Sequence, residues 1–199
     1  MALSKTTDHE TVSIYPFNDE EVDQLMNNAG EAVLMWATSD GWPVGVTHAF
    51  VWHDGKIWLT FTTQRHRYKA ICRDNRVSVN VSSASYMVPP GDLPSGAITF
   101  KGTGEFFDDD ETKEWFYNAL ASRVGMGDQA ATDAFYQLLQ SPIRTVLAVT
   151  PVKKIMYNQG LAERHMTEGV DESELGARLE SDTTRLAKER ADRNLPPRD

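Results

Sequence analysis

Residues 32–83 read AVLMWATSDGWPVGVTHAFVWHDGKIWLTFTTQRHRYKAICRDNRVSVNVSS, and this stretch decides the architecture. It runs strand, turn, strand, turn, strand, then a polar and basic link, then another strand. Asp40-Gly41 and Asp54-Gly55 are turn dipeptides between apolar or alternating runs, the pattern of β-hairpins. Arg76 to Ser82 alternates cleanly, with Val77, Val79 and Val81 on one face and Ser78, Asn80 and Ser82 on the other. The link predicts a short helix from about Arg67 to Arg73, with Tyr68, Ile71 and Cys72 on a shared face, so the thiol is expected to be buried. The third strand ends in Thr60-Phe61-Thr62-Thr63. Around that end Thr62, Thr63, Arg65, Arg67 and Lys69 all donate hydrogen bonds or carry positive charge, which points to an anion, above all a phosphate.

That cluster stands out against the composition. The chain has 199 residues, a net charge of −9 and a pI near 5.0, which argues against a nucleic-acid partner but leaves room for a local basic pocket. Hydrophobic residues make up 40% and five are tryptophans, enough for a real core. One cysteine excludes an internal disulfide and any multi-cysteine metal site. The N-terminus has no charged segment leading into an apolar one, and no apolar run approaches the ~20 residues that span a bilayer. A cytoplasmic protein without a membrane partner is expected.

Outward from the decisive stretch, residues 1–17 read as an N-terminal arm. Asn18 is set to cap a helix from about Asp19 to Asn28, ended by Gly30, with Val22, Leu25 and Met26 on one face. Tyr86 to Gly96 is a Pro/Gly-rich loop. Ala97 to Phe107 is a strand whose Gly102-Thr103-Gly104 suggests a bulge. Residues 108–140 read as a helical insertion: Asp108, Asp109 and Asp110 precede one helix that runs through about Val124, and a second covers about Gln129 to Gln140. Arg144 to Val149 is a strong strand, continued past Pro151 by Lys153 to Tyr157. Residues 18–160 thus form the expected domain, and 161–199 a charged C-terminal tail able to form a solvated helix. The fold class is mainly β with helices (α+β), an antiparallel arrangement for which periodicity alone leaves barrel and sandwich open.

From Glu31 to Val81 the sequence resembles the pyridoxamine 5′-phosphate oxidase-like family of flavin- and deazaflavin-binding split barrels. The resemblance rests on Asp40-Gly41-Trp42-Pro43-Val44, on the hairpin Phe50 to Phe61 ending in Thr62-Thr63, and on Arg67 and Ile71 followed by Asp74-Asn75-Arg76-Val77. Lys101-Gly102 and the segment RTVLAVTPVKKIMY (144–157) extend it to about residues 19–160. It implies a six-stranded antiparallel split β-barrel, a homodimer with cofactor bound at the interface, and FMN or alternatively coenzyme F420 as cofactor; some members bind haem, for which His48 or His165 would serve as ligand here. It implies an oxidoreductase that moves a hydride to or from a small organic substrate; the alternative is a non-catalytic flavin- or haem-binding protein, such as a carrier or sensor. The cofactor residues would be Thr62, Thr63, Arg65, Arg67 and Lys69 around the phosphate-bearing tail, and Val46, Thr47 and His48 along the ring.

Two departures bear on function. Arg67 stands where the family usually has lysine. Val44 to Val51 lacks the Arg and Lys that vitamin-oxidising members set against the FMN phosphate, which disfavours pyridoxamine-phosphate oxidation itself. The acidic balance favours FMN over F420 with its polyglutamate tail. No acid or base can be singled out as catalytic, and no His/Glu spacing suggests a metal. The tryptophans read first as core, with Trp52 and Trp58 best placed to reach a ring.

Overall fold

The structure, a computed structural model, describes residues 13–197. Of the expected arm, residues 1–12 lie outside the described residues. Helix α1 (Asp19–Asn28) opens on a reciprocal cap: Asn18 Oδ1 accepts from the Glu21 amide at 2.9 Å, and the Glu21 carboxylate accepts from the Asn18 amide at 2.8 Å. Such a cap contributes ~1 kcal/mol. It orients Val22, Leu25 and Met26 into the core, as their spacing requires.

Seven strands follow: β1 (Ala32–Ala37), β2 (Pro43–His48), β3 (Val51–His53), β4 (Lys56–Thr62), β5 (Arg76–Ser82), β6 (Gly96–Phe107) and β7 (Arg144–Asn158). They form one antiparallel sheet in the order β2-β1-β5-β6-β7-β4-β3. The two edge strands, β2 and β3, are separated in sequence only by Ala49 and Phe50. One bent strand therefore serves both edges, and the sheet curls into the expected split barrel. Counted as one, that strand makes the total six. The bend is pinned by Phe50, which is fully buried.

The β3–β4 turn is Asp54-Gly55, both at positive φ (52° and 66°), as a two-residue hairpin requires. The expected bulge lies between Lys101 and Gly102. A Cβ on Gly102 would come within 2.5 Å of the Thr150 carbonyl, so the strands approach there only because the side chain is missing.

Strand alternation fills the barrel with Leu34, Leu59, Phe61, Val79, Ile98 and Phe100 among others. Opposite residues of β4 and β7 face outward. Trp58, Val146 and Ala148 are covered by Phe116, Tyr117, Leu120 and Leu139 from α3 (Asp110–Gly125) and α4 (Gln129–Leu139). The insertion is thus a second layer on one side of the barrel. Within the C-terminal region lie α5 (Gln159–Thr167) and, farther on, α6 (Glu180–Asp192). Leu161 and Ala162 of α5 pack on Ile14 and Tyr15, and Tyr15 Oη lies 3.0 Å from His165 Nδ1.

One expectation needs correction. Helix α2 (His66–Arg73) buries Ala70 and Ile71 but leaves Cys72 exposed. Ile71 inserts toward Gly104 of β6. Its successor, ~100° further round the helix, then turns to solvent. Trp52 and Trp58 pack with the core, the reading the sequence favours. Trp52 stacks at 5.8 Å on Phe100 and donates its indole N–H to Asp23 at 2.8 Å, while Trp58 meets Trp115 edge-on at 4.9 Å.

Candidate functional site

The junction of β4 and α2 gathers positive charge without neutralising it. Strand β4 ends at Thr62, and the chain turns back through a Thr62 carbonyl to Arg65 amide bond of 3.0 Å. The Thr63 amide is tied to the Ile143 carbonyl at 2.8 Å, so the turn is anchored to the start of β7. Helix α2 then begins with Arg65 at its N-cap, no side-chain cap and no acidic residue in its first turn. A helix start normally attracts an acceptor to its free amides. This one carries arginine instead, and both features favour an incoming anion.

Arg67 reaches back over the end of the barrel. Its Cζ lies 5.2 Å from the Phe61 ring and 5.8 Å from the Trp36 ring. Its Nε is buried with no hydrogen-bond partner. Burial, then the like charge of Arg65, pushes its pKa down. His48, at the end of β2, sits 5.8 Å from the same Phe61 ring, and its Nε2 is also buried without a partner. Burial, aided by the Arg67 charge, lowers its pKa to about 4, so the ring is neutral at pH 7.

The expected residues thus divide. His48 and Arg67 meet on the inner side, around Phe61. Thr62 shares the outer face of β4 with Trp58 and Thr60, and its hydroxyl is buried without a partner. Arg65 lies between, close enough to bias the ionisation of both Arg67 and Arg144. Val46 packs on the barrel core, Thr47 alternates outward on the β2 edge, Thr63 is half-buried, and Lys69 is exposed on α2.

Sequence reasoning missed Arg144 and Tyr117. Arg144, first residue of β7, pairs in register with Thr62 and leaves a buried Nε unpartnered. Tyr117 of α3 is buried beside it with an unpartnered hydroxyl. An arginine opening a strand and a tyrosine inside a helix carry no local signal; only the register brings residue 144 beside residue 62. Among the described residues, Arg65, Arg67, Lys69 and Arg144 form no ion pair, although the chain holds 29 acidic residues against 20 Lys and Arg. Donors of this density with no acceptor are what an anion site requires.

A family model described as pyridoxamine 5′-phosphate oxidase matches residues 19–156. Among solved structures, the chain is similar to a conserved hypothetical protein from Mycobacterium tuberculosis (17% identity, TM-score 0.60, covering 73% of this chain and 87% of the other). It is similar to an F420 reductase (21% identity, TM-score 0.50, covering 66% and 94%). It is also similar to a heme storage protein from Vibrio cholerae (11% identity, TM-score 0.50, covering 70% and 94%). At these identities the likeness is one of fold. No curated protein matches in sequence.

Proposed function

The chain belongs to the pyridoxamine 5′-phosphate oxidase family, and from that premise we propose that it is an FMN-dependent oxidoreductase acting on a small organic substrate as a homodimer. The observation that carries this reading is the set of orphaned donors at the β4–α2 junction. Arg67 Nε and His48 Nε2 are both buried and unpartnered on the inner side of that junction, and Thr62 Oγ1 is likewise unpartnered on the outer face of the same strand end. Leaving one such group unpaired costs ~1–3 kcal/mol, so a polar ligand there is favoured.

The donor set fits a phosphate-bearing cofactor. Thr62, Thr63, Arg65, Arg67 and Lys69 would hold the phosphate, helped by the free amides at the start of α2. Val46, Thr47 and His48 would lie along the ring, on a strand that ends the sheet and keeps one backbone edge unpaired within the chain. When bound, FMN supplies hydride transfer; the protein binds it, orients it and excludes water. His48, neutral at pH 7, can donate or accept one hydrogen bond at Nε2 but brings no charge of its own. The dimer is supported by exposed apolar side chains: Trp42, Val152, Ile155 and Tyr157 are 69, 74, 49 and 38% exposed.

The test is the absorbance spectrum and mass of any ligand released from purified protein, followed by titration with FMN and with F420. FMN binding that falls ~100-fold in an Arg67→Ala/Lys69→Ala double variant is the expected result. Binding of F420 with FMN excluded would replace the cofactor; binding of neither would overturn the redox reading.

A further inference from the structure

Arg67 and His48 answer to the inner side of the β4 end, and a second group of orphaned donors occupies the outer side. Thr62 and Arg144 are register partners on β4 and β7. They share the outer face with Trp58, Val146 and Ala148, under α3. Directly opposite residues of an antiparallel pair bring their Cβ atoms to ~5 Å. Thr62 Oγ1, Arg144 Nε and the Tyr117 hydroxyl are each buried and without a partner. Tyr117 as a residue is only 3% exposed. The Thr60 hydroxyl nearby donates its proton to the Thr145 carbonyl at 2.7 Å.

We propose that Arg144 and Tyr117, with Thr62 between them and the cofactor side, form a second anion subsite that takes the carboxylate of the substrate. An Arg Nε with its neighbouring Nη presents the two parallel donors a carboxylate accepts. The tyrosine hydroxyl adds a third donor from the helix above. Tyr117 also lines a cavity of about 480 Å³ between α3, α4 and the start of β7, together with Tyr136, Lys113 and the exposed carboxylates of Asp110 and Glu114. Those two carboxylates disfavour a polyanion and fit a ligand with one anionic head. Because α3 and α4 supply the cavity, the inserted helices set substrate class. That the carboxylate is the substrate's rests on the flavin-enzyme reading above; that the subsite takes an oxyanion does not.

The test is calorimetric titration of the FMN-loaded protein with benzoate and, in parallel, with inorganic phosphate. One benzoate per chain is expected, weakened about tenfold or more by Arg144→Met and about threefold by Tyr117→Phe, with FMN affinity unchanged in both. Tyr117→Phe should leave Tm equal or higher, since it removes an unsatisfied buried hydroxyl; a structural role would lower Tm. Arg144→Lys, which keeps the charge but not the fork, should bind with intermediate strength and guards against misfolding of the methionine variant. Benzoate binding that is absent, or untouched by Arg144→Met, overturns the subsite. So does an Arg144→Met variant that loosens FMN as much as Arg67→Ala, which would merge the two sites into one. Phosphate binding tighter than benzoate overturns the carboxylate assignment. If neither FMN nor F420 binds, the redox reading falls. Benzoate binding to the unloaded protein that still depends on Arg144 then leaves the oxyanion subsite standing.

Discussion

Arg67 and His48 approach the ring of Phe61 from two elements, the guanidinium carbon at 5.2 Å and the imidazole centre at 5.8 Å. Neither is matched by a carboxylate, and burial with this neighbouring charge holds the His48 pKa at about 4 against an ordinary 6.5.

The first prediction is a pH dependence of stability. In the unfolded chain His48 takes up a proton below about pH 6.5, whereas in the folded protein it does so only near 4. The unfolded state therefore binds more protons between those values, and stability falls as pH drops through that window. The expected loss between pH 7 and 4.5 is ~2 kcal/mol from this residue. Urea melts at the two pH values should show it in the wild type, and His48→Phe should remove about that much of the difference. An equal acid loss in the variant would assign the sensitivity to other groups.

Much of the barrel was legible because its determinants are local. Asn18 and Glu21 lie three residues apart and cap α1 on their own. Asp54-Gly55 carries the positive φ values of its turn, and Gly102 marks the bulge where another backbone must come close. The bend at Ala49-Phe50 left no such mark. Neither residue breaks a strand, and the split arises because burying Phe50 turns one strand onto two sheet edges. Cys72 was misplaced because an eight-residue helix presents too few apolar positions to fix its rotation; the fit of Ile71 against Gly104 decides it. On the candidate site, the basic cluster showed in the sequence, but its division into inner and outer groups did not. Strand register puts Arg144 beside Thr62, and helix packing puts Tyr117 above them. Both are long-range facts.

Arg123 is a second long-range feature with a measurable consequence. From α3 it donates Nη1 to the Asn27 carbonyl at 2.8 Å and Nη2 to those of Met26, at 2.9 Å, and Ala29, while its Cζ lies 5.0 Å from the Phe50 ring. Helix α1 has no basic residue in its last turn, so Arg123 supplies from another element the donors that its terminal carbonyls lack. It also locks the bend at Phe50. Arg123→Met keeps much of the stem and removes the donors, and should cost ~2–3 kcal/mol in chemical denaturation. A loss under 0.5 kcal/mol would mean that solvent satisfies these carbonyls equally well.

Helices α3 and α4 meet at Gly125, the last residue of α3. A Cβ there would fall 2.0 Å from Thr132 Oγ1 and 2.9 Å from the Thr132 amide nitrogen. The hydroxyl could rotate away, but the backbone nitrogen could not. Gly125→Ala should therefore force the helices apart, costing ~1–3 kcal/mol by overpacking despite alanine's better helix propensity. Because Phe116 and Leu139 cover Trp58, tryptophan emission should shift to the red in the variant. Adding Thr132→Gly removes the hydroxyl but leaves the amide, so the double variant should recover only part of the loss.

The last prediction concerns the face that carries Val152. Gly41, Pro43, Met35, Val77 and Val152 border an apolar depression of about 640 Å³ on the outside of β1, β5 and β6. Trp42 and Ile155 stand exposed nearby on the same chain segments. Lys101 and Arg76 lie at its rim, and Arg76 is already bound to Asp74 at 2.7 Å, so charge does not compete strongly for this surface. Contiguous exposed apolar area of this kind is costly in water and is normally covered. A second copy of the chain is the expected cover. Analytical ultracentrifugation of the wild type should give twice the 22.3 kDa chain mass, and Val152→Asp/Ile155→Asp should shift it to the monomer with secondary structure retained. If the proposed cofactor is held between two chains, the monomeric variant should also bind FMN at least tenfold more weakly. A monomeric variant with undiminished FMN affinity would confine the cofactor site to one chain, and a monomeric wild type would leave this face to another partner.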